Sequence, residues 1–463
     1  CRRGPGGGSG RENRAAPTPA PGPGPRARRV RVRMYRQGFG DCFLVSLPRG
    51  RRRRDLRIMI DCGVLLGTGD ADETMQTVVR DIAGETKGEV DLLVVTHEHW
   101  DHVSGFLQAA EAMQAIRFGE VWMSWAEDPD DAQAQRLEQE RAAALAPIRL
   151  AAARLGLADA ADTAPLPGLA GFLGAGGRST REAMQAARAR VPGTTPRYLE
   201  PGDPPIALAG TGCRVYVLGP PRQRKFLLRS RPSRTAPETY EFAASGFSLD
   251  EARSCLEGTA DQPFAPRWAI PLEVARSMPF FRRVFDAPGE SWRDISHAWL
   301  DGLAELALRL DEHTNNSSLV LAIELANKDV LLFAADAQVG NWLSWQDLRW
   351  EVDGREVTGP DLLARTVLYK VGHHGSHNAT LREKGLEMMA ALRTALMPVD
   401  EAAARRQGWN AIPFASLLAR LGEITGGRVL RSDAGRAIGQ TKVPPAPKAR
   451  DIATTELWFE VRL

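Results

Sequence analysis

The chain has 463 residues, 43% of them hydrophobic, enough for one large domain with insertions or for two or three smaller ones. Its net charge of +3 is set by residues 1–33, where nine arginines and one glutamate give +8; the rest sums to −5 and has no whole-surface basic footprint for nucleic acid. The sequence has no apolar run long enough for a membrane helix. Its five cysteines are widely spaced with no CxxC, which argues against a disulfide framework or a thiolate zinc site and for a reducing compartment, the cytoplasm.

Residues 1–28, rich in Gly, Pro and Arg, read as a disordered tail. The first residue is Cys, which fits a fragment or a misassigned start better than a lipoprotein. A single folded domain with an insertion is expected over 29–463. Val30, Val32 and Met34 alternate with arginines and predict a half-buried edge strand over 29–36. A glycine turn, GFG, then leads to a strand at Cys42–Leu47. Arg51–Arg54 occupy a hairpin loop, as a solvated turn or as a substrate-phosphate contact. LRIMIDCG continues as a third strand, and ETMQTVVRDIAG predicts a helix over 73–84.

VDLLVVT is a continuous apolar run, the pattern of a fully buried strand, and it ends in THEHWDH. A helix is expected from 103 and a short strand at 120–125. Residues 126–310 predict a largely helical insertion, interrupted by strand character at 213–221. NSSLVLAIEL (316–325) and KDVLLFAAD (328–336) read as a strand pair. Another buried strand ends in GHHGSHN, TALMPV (394–399) is a further strand, 412–424 a helix, and ATTELWFEVRL closes the chain with alternating apolar residues.

Histidine is scarce, eight in 463 residues, yet three lie within six positions. His97, His99, Asp101 and His102 form HxHxDH directly after a buried strand, where α/β folds place ligands. Histidines at i and i+2 can close on one metal ion, and Asp101 and His102 can turn toward a second. With Asp61 in IMIDCG, Asp336 in LLFAAD and His373–His374 in HHGS, the pattern resembles the metallo-β-lactamase superfamily. The resemblance implies an αββα sandwich with the metal site at one edge. A narrower resemblance, carried by RQGFGDCFLV, NNSSLVLAIE, LLFAAD and LYKVGHHGSHN, is to the soluble hydrolase domain of DNA-uptake competence proteins.

The resemblance implies two divalent ions, with zinc the default and manganese or iron accepting the same donors. His97, His99 and His313 would hold one; Asp101, His102 and His374 the other; Asp336 would bridge. Asn315 or Asn316 is the alternative to His313. Asp61 would orient a ligand or a water, and His373 would stand near the substrate as hydrogen-bond donor or general acid. His377 and His297 read as surface and structural residues. Cys62 reads as packed core. Asp41 is balanced between turn and site edge, and Gly375 and Ser376 between a tight turn and an oxyanion contact.

The implied reaction is hydrolysis by a metal-bound hydroxide, on a small phosphodiester or short nucleic acid. A lactone, thioester or β-lactam is the alternative substrate, with a non-catalytic metal-binding scaffold the third reading. A phosphate substrate predicts basic residues around the cleft. An acyl substrate predicts an apolar wall, which WLSWQDLRW (342–350) could supply.

Overall fold

The computed structural model describes residues 29–50, 53–154, 178–233, 238–239, 270–284, 312–438 and 441–463. In chain order the first strands are β1 (Arg31–Tyr35), β2 (Cys42–Leu47), β3 (Leu56–Cys62), β4 (Glu89–Val94), β5 (Arg117–Ser124), β6 (Arg197–Leu199), β7 (Ile206–Leu208), β8 (Cys213–Gly219), β9 (Val320–Glu324) and β10 (Val330–Phe333). They are followed by β11 (Arg349–Val352), β12 (Arg355–Thr358), β13 (Thr366–Lys370), β14 (Thr394–Met397), β15 (Val429–Arg431), β16 (Ala437–Ile438), β17 (Thr441–Lys442), β18 (Ile452–Thr454) and β19 (Trp458–Arg462).

Two sheets dominate, with orders β18-β19-β1-β2-β3-β4-β5-β6 and β15-β14-β13-β10-β9-β8-β7. Each is half antiparallel and half parallel. In the first, β19, β1, β2 and β3 alternate in direction and β3 to β6 run together. In the second, β7 to β10 alternate and β10, β13, β14 and β15 run together. Parallel neighbours need a crossover; the helix Ala71–Thr86 supplies it between β3 and β4.

Strand alternation divides the apolar residues between two faces. Val32, Phe43, Ile58, Ile60, Leu92 and Val94 of the first sheet pack on Leu321, Ile323, Leu331 and Phe333 of the second. Their neighbours Tyr35, Leu44, Met59 and Leu93 face the other way, under Met75, Val78, Val79 and Ile82 of the crossover helix. Behind the second sheet, Leu332, Tyr369 and Met397 are covered by Leu362 and Leu363 of the helix Gly359–Ala364 and by Leu417 and Leu421 of the helix Ala415–Ile424. The layers run helix, sheet, sheet, helix: an αββα sandwich.

Several expectations need correction. β1 is not an edge strand: β2 and β19 flank it, and Arg33 on it is only 4% exposed. Its guanidinium meets Asp81 at 2.7 Å, Glu460 at 3.0 Å and Glu85 at 3.1 Å. Arg54 pairs with Glu89 and Asp91 near the start of β4, at the end opposite the histidines, so it is no substrate contact. Arg51 and Arg52 lie outside the described residues. Trp342, Trp345 and Trp350 are core residues, with Trp342 and Trp345 stacked at 4.0 Å, and form no cleft wall.

Within 126–310, the helices Ala132–Arg154 and Arg178–Arg188 are described, but β6, β7 and β8 belong to the main sheets. Short helices at Arg224–Leu227, Leu272–Ser277 and Pro279–Val284 are described as well, whereas 155–177, 234–237, 240–269, 285–311, the tail 1–28 and His297 lie outside the described residues. Among the described residues no helix is long and apolar enough to cross a membrane.

Candidate metal centre

Strand ends converge at one edge of the sandwich. β3 ends on Asp61 and Cys62, β4 runs into Thr96–His102, β10 into Ala334–Asp336, and β13 into Val371–Gly375. The backbone N–H of Leu319, just before β9, donates to Thr96 O at 2.9 Å and stitches the two sheets together there. Asp61, Ala335, His373 and His374 all leave their strands with positive φ, between 41° and 54°. Non-glycine residues hold this conformation at a cost of roughly 1–3 kcal/mol each, and such strain collects at functional sites.

Asp101, His102, Asp336 and His374 place one ligand atom each within 4.8 Å of one another. His102 Nε2 is 3.2 Å from Asp336 Oδ2; His374 Nε2 is 2.9 Å from Asp101 Oδ2 and 3.5 Å from Asp336 Oδ2. Both rings are oriented from behind. His102 Nδ1 donates to Asp61 Oδ2 at 2.8 Å, and His374 Nδ1 donates to Pro398 O at 2.6 Å. Asp61 is itself held by Thr96, whose N–H and hydroxyl donate at 2.8 and 2.6 Å. With each Nδ1 committed, each Nε2 faces the carboxylates.

His97 and His99 lie outside this group of four, but their Nε2 and Nδ1 atoms stand 3.1 Å apart, and the His97 ring lies 4.2 Å from that of His102. His313 sits in a helical turn before β9, outside the group of four and outside the second donor group among the described residues, Asp41, Asp61 and His102. Asn315 Nδ2 comes within 3.4 Å of His373 Nε2, whereas Asn316 holds the carbonyls of Phe226 and Leu227, each at 2.8 Å. His373 is the more open of its pair, its side chain 20% exposed and Nε2 4.0 Å from Asp336 Oδ2.

The Gly375–Ser376 segment is a tight turn. Ser376 N–H donates to His373 O at 2.8 Å and its hydroxyl to Asn378 Oδ1 at 3.0 Å, so its donors are taken internally. Half-buried His377 faces the Phe414 ring.

Lys370 escaped the sequence reading, and Asp41, left open between turn and site edge, is a site residue. Asp41 is buried in the site, and Lys370, only 1% exposed, sits between two carboxylates: its Nζ is 2.7 Å from Asp41 Oδ2 and 3.2 Å from Asp336 Oδ1. The visible signal was a lone lysine inside the apolar run TVLYKV. Burial opposes charge on Lys370, but Asp41 and Asp336 outweigh it and raise its pKa. Burial, then the neighbouring imidazoles of His102 and His99, pushes His97 down; burial, with the Arg141 charge and His102 adding to it, takes His99 to about 4. Burial also opposes charge on His102 and His374; there the carboxylates win, raising His102 and holding His374 up to about 9. The carboxylates thus draw protons onto two imidazoles. A divalent cation is the natural replacement for those protons, and the donor set of imidazole nitrogen and carboxylate oxygen fits it.

The metallo-beta-lactamase superfamily model matches residues 35–159. The matched span runs from the end of β1 through the signature loop and β5 into the following helix. No curated protein matches the chain. The αββα layers and the position of the donor cluster at the sandwich edge agree with a metallo-β-lactamase fold. Match and cluster together point to a metal-dependent hydrolase.

Proposed function

We propose that the protein is a two-metal hydrolase of phosphodiesters, acting on a small phosphodiester or a short nucleic acid. The carrying observation is the pair of Nε2 atoms, on His102 and His374, aimed at Asp101 and Asp336 from rings locked by Asp61 and Pro398. One ion would take Asp101, His102, Asp336 and His374; the second would take His97 and His99, with Asp336 shared. Zinc is the default, and manganese or iron fits the same donors. When bound, such ions supply Lewis acidity and lower the pKa of water toward neutrality.

The chain's own residues do the rest. Asp61 sets the tautomer and tilt of His102. Lys370 holds Oδ1 of Asp336, which turns Oδ2 toward His102 and His374. His373 Nε2, at the open side, is placed to donate to a leaving-group oxygen. The phosphodiester choice follows the likeness to competence-type hydrolases, and the burial of Trp342, Trp345 and Trp350 withdraws that segment as an apolar wall for an acyl substrate. The free, buried thiols of Cys42, Cys62 and Cys213 support a reducing compartment, the cytoplasm.

The test pairs elemental analysis of the purified protein with hydrolysis of bis(p-nitrophenyl) phosphate, with and without added zinc or manganese. Near two ions per chain and metal-dependent turnover are expected. Two ions with turnover only of lactones or lactams would overturn the substrate class. A chain that takes up no metal would overturn the whole reading.

A further inference from the structure

We propose that Arg141 is the anion anchor of this site, the guanidinium that receives the substrate's phosphoryl oxygens beside the metal cluster. The inference rests on the phosphodiester reading and deepens it. Arg141 lies on the helix Ala132–Arg154, and its Nη1 is 3.5 Å from Oε2 of Glu98, the residue between His97 and His99. Its positive charge reaches His99 and Glu127, both at the same edge of the first sheet.

The helix that carries it is tied down around this position. Arg222 grips Asp131 at 2.7 Å, Gln133 Nε2 donates to Arg222 O at 2.7 Å, and Arg224 meets Glu140 at 2.8 Å. Glu138 pairs with Arg181. Residues 138, 140 and 141 therefore reach three different neighbours, and the one at 141 reaches the signature loop.

Charge decides what this arginine is for. The more exposed groups around the cluster are Asp101, 15% exposed, and His373, 20% exposed, and Glu98 of the same signature loop is 13% exposed. An anionic phosphodiester arriving there meets carboxylates. Lys370 cannot help, because it is 1% exposed and committed to Asp41 and Asp336. Arg141 is 30% exposed, and its contact with Glu98 is longer than the roughly 2.7–2.9 Å of a charge-assisted hydrogen bond. Partly exposed ion pairs of this kind are weak. A phosphate, which matches the planar guanidinium fork in two-point contact, displaces Glu98 at little cost.

Isothermal titration of metal-loaded full-length protein with inorganic phosphate tests this without relying on turnover. The expected result is phosphate binding by the parent and at least tenfold weaker binding by Arg141→Ala, with metal content unchanged. Should Arg141→Ala lose metal or fold poorly, Arg141→Gln, neutral but with a similar stem, decides by the same loss. Equal binding by parent and a folded, metal-loaded variant overturns the inference, as does a parent that binds no phosphate. A parent that binds phosphate through Arg141 yet never cleaves bis(p-nitrophenyl) phosphate leaves the anchor standing and sinks the phosphodiesterase reading instead.

Discussion

Asp61 has both carboxylate oxygens engaged, one by the Thr96 N–H and the other by the Thr96 hydroxyl and His102 Nδ1. Asp61→Asn puts a donor where His102 also donates. Outer partners of this kind typically carry 10–100-fold in metal affinity, and chelator competition on the purified variant should show a loss of that order. Lys370 makes a second residue-scale case. Lys370→Met leaves Asp41 and Asp336 facing each other in a buried space, and breaking a buried pair from one side costs about 3–5 kcal/mol. Urea unfolding of metal-free protein is the measurement, and a midpoint unchanged from the parent would contradict this picture. The six residues of HxHxDH and HHGS were legible because their spacing is local. Lys370 was not, and Asp41 stayed open between turn and site edge, because the two are 329 positions apart and become partners only when β13 and the segment before β2 meet at the sandwich edge.

At the scale of elements, two glycines let the signature loop sit where it does. A Cβ on Gly63 would lie 2.3 Å from the carbonyl carbon of Asp101 and 2.5 Å from His102 N; one on Gly40 would lie 2.7 Å from Asp101 O. The Asp41 N–H uses this closeness to donate to Asp101 O at 3.0 Å. Gly63→Ala must therefore push the Asp101–His102 backbone away. Overpacking of this kind costs about 1–3 kcal/mol, and both the unfolding midpoint and the bound metal should fall. Most strands were legible: Cys42–Leu47 was placed to the residue, and β4, β9, β10, β13 and β14 were each placed by their apolar runs. β1 misled because alternating arginines look solvated, and the acids that bury Arg33 are supplied by positions 81, 85 and 460. His373 and His374 diverge for a reason that strand alternation does not supply. β13 stops at Lys370, and it is two successive left-handed residues that turn the rings apart.

For the molecule as a whole, stability should follow both pH and metal. Burial, then the neighbouring Glu98, pushes Glu127 up to about 7. A carboxyl with a raised folded-state pKa contributes stability that is complete below its usual value near 4.5 and is lost as pH rises through about 7. Between pH 5 and pH 8 the melting temperature of Glu127→Gln should therefore fall less, or rise more, than that of the parent. Added zinc or manganese should raise the melting temperature, since a ligand at a hundred times its Kd stabilises by about 2.7 kcal/mol, and His99→Ala combined with Asp101→Ala should abolish that rise. The pairing of β1 with β19 sets a condition on synthesis. The sheet that carries the signature loop is finished only when residues 458–462 leave the ribosome. Until then β1 offers an unpaired edge, and a nascent chain that stalls before 458 is the form most exposed to chaperones and to aggregation.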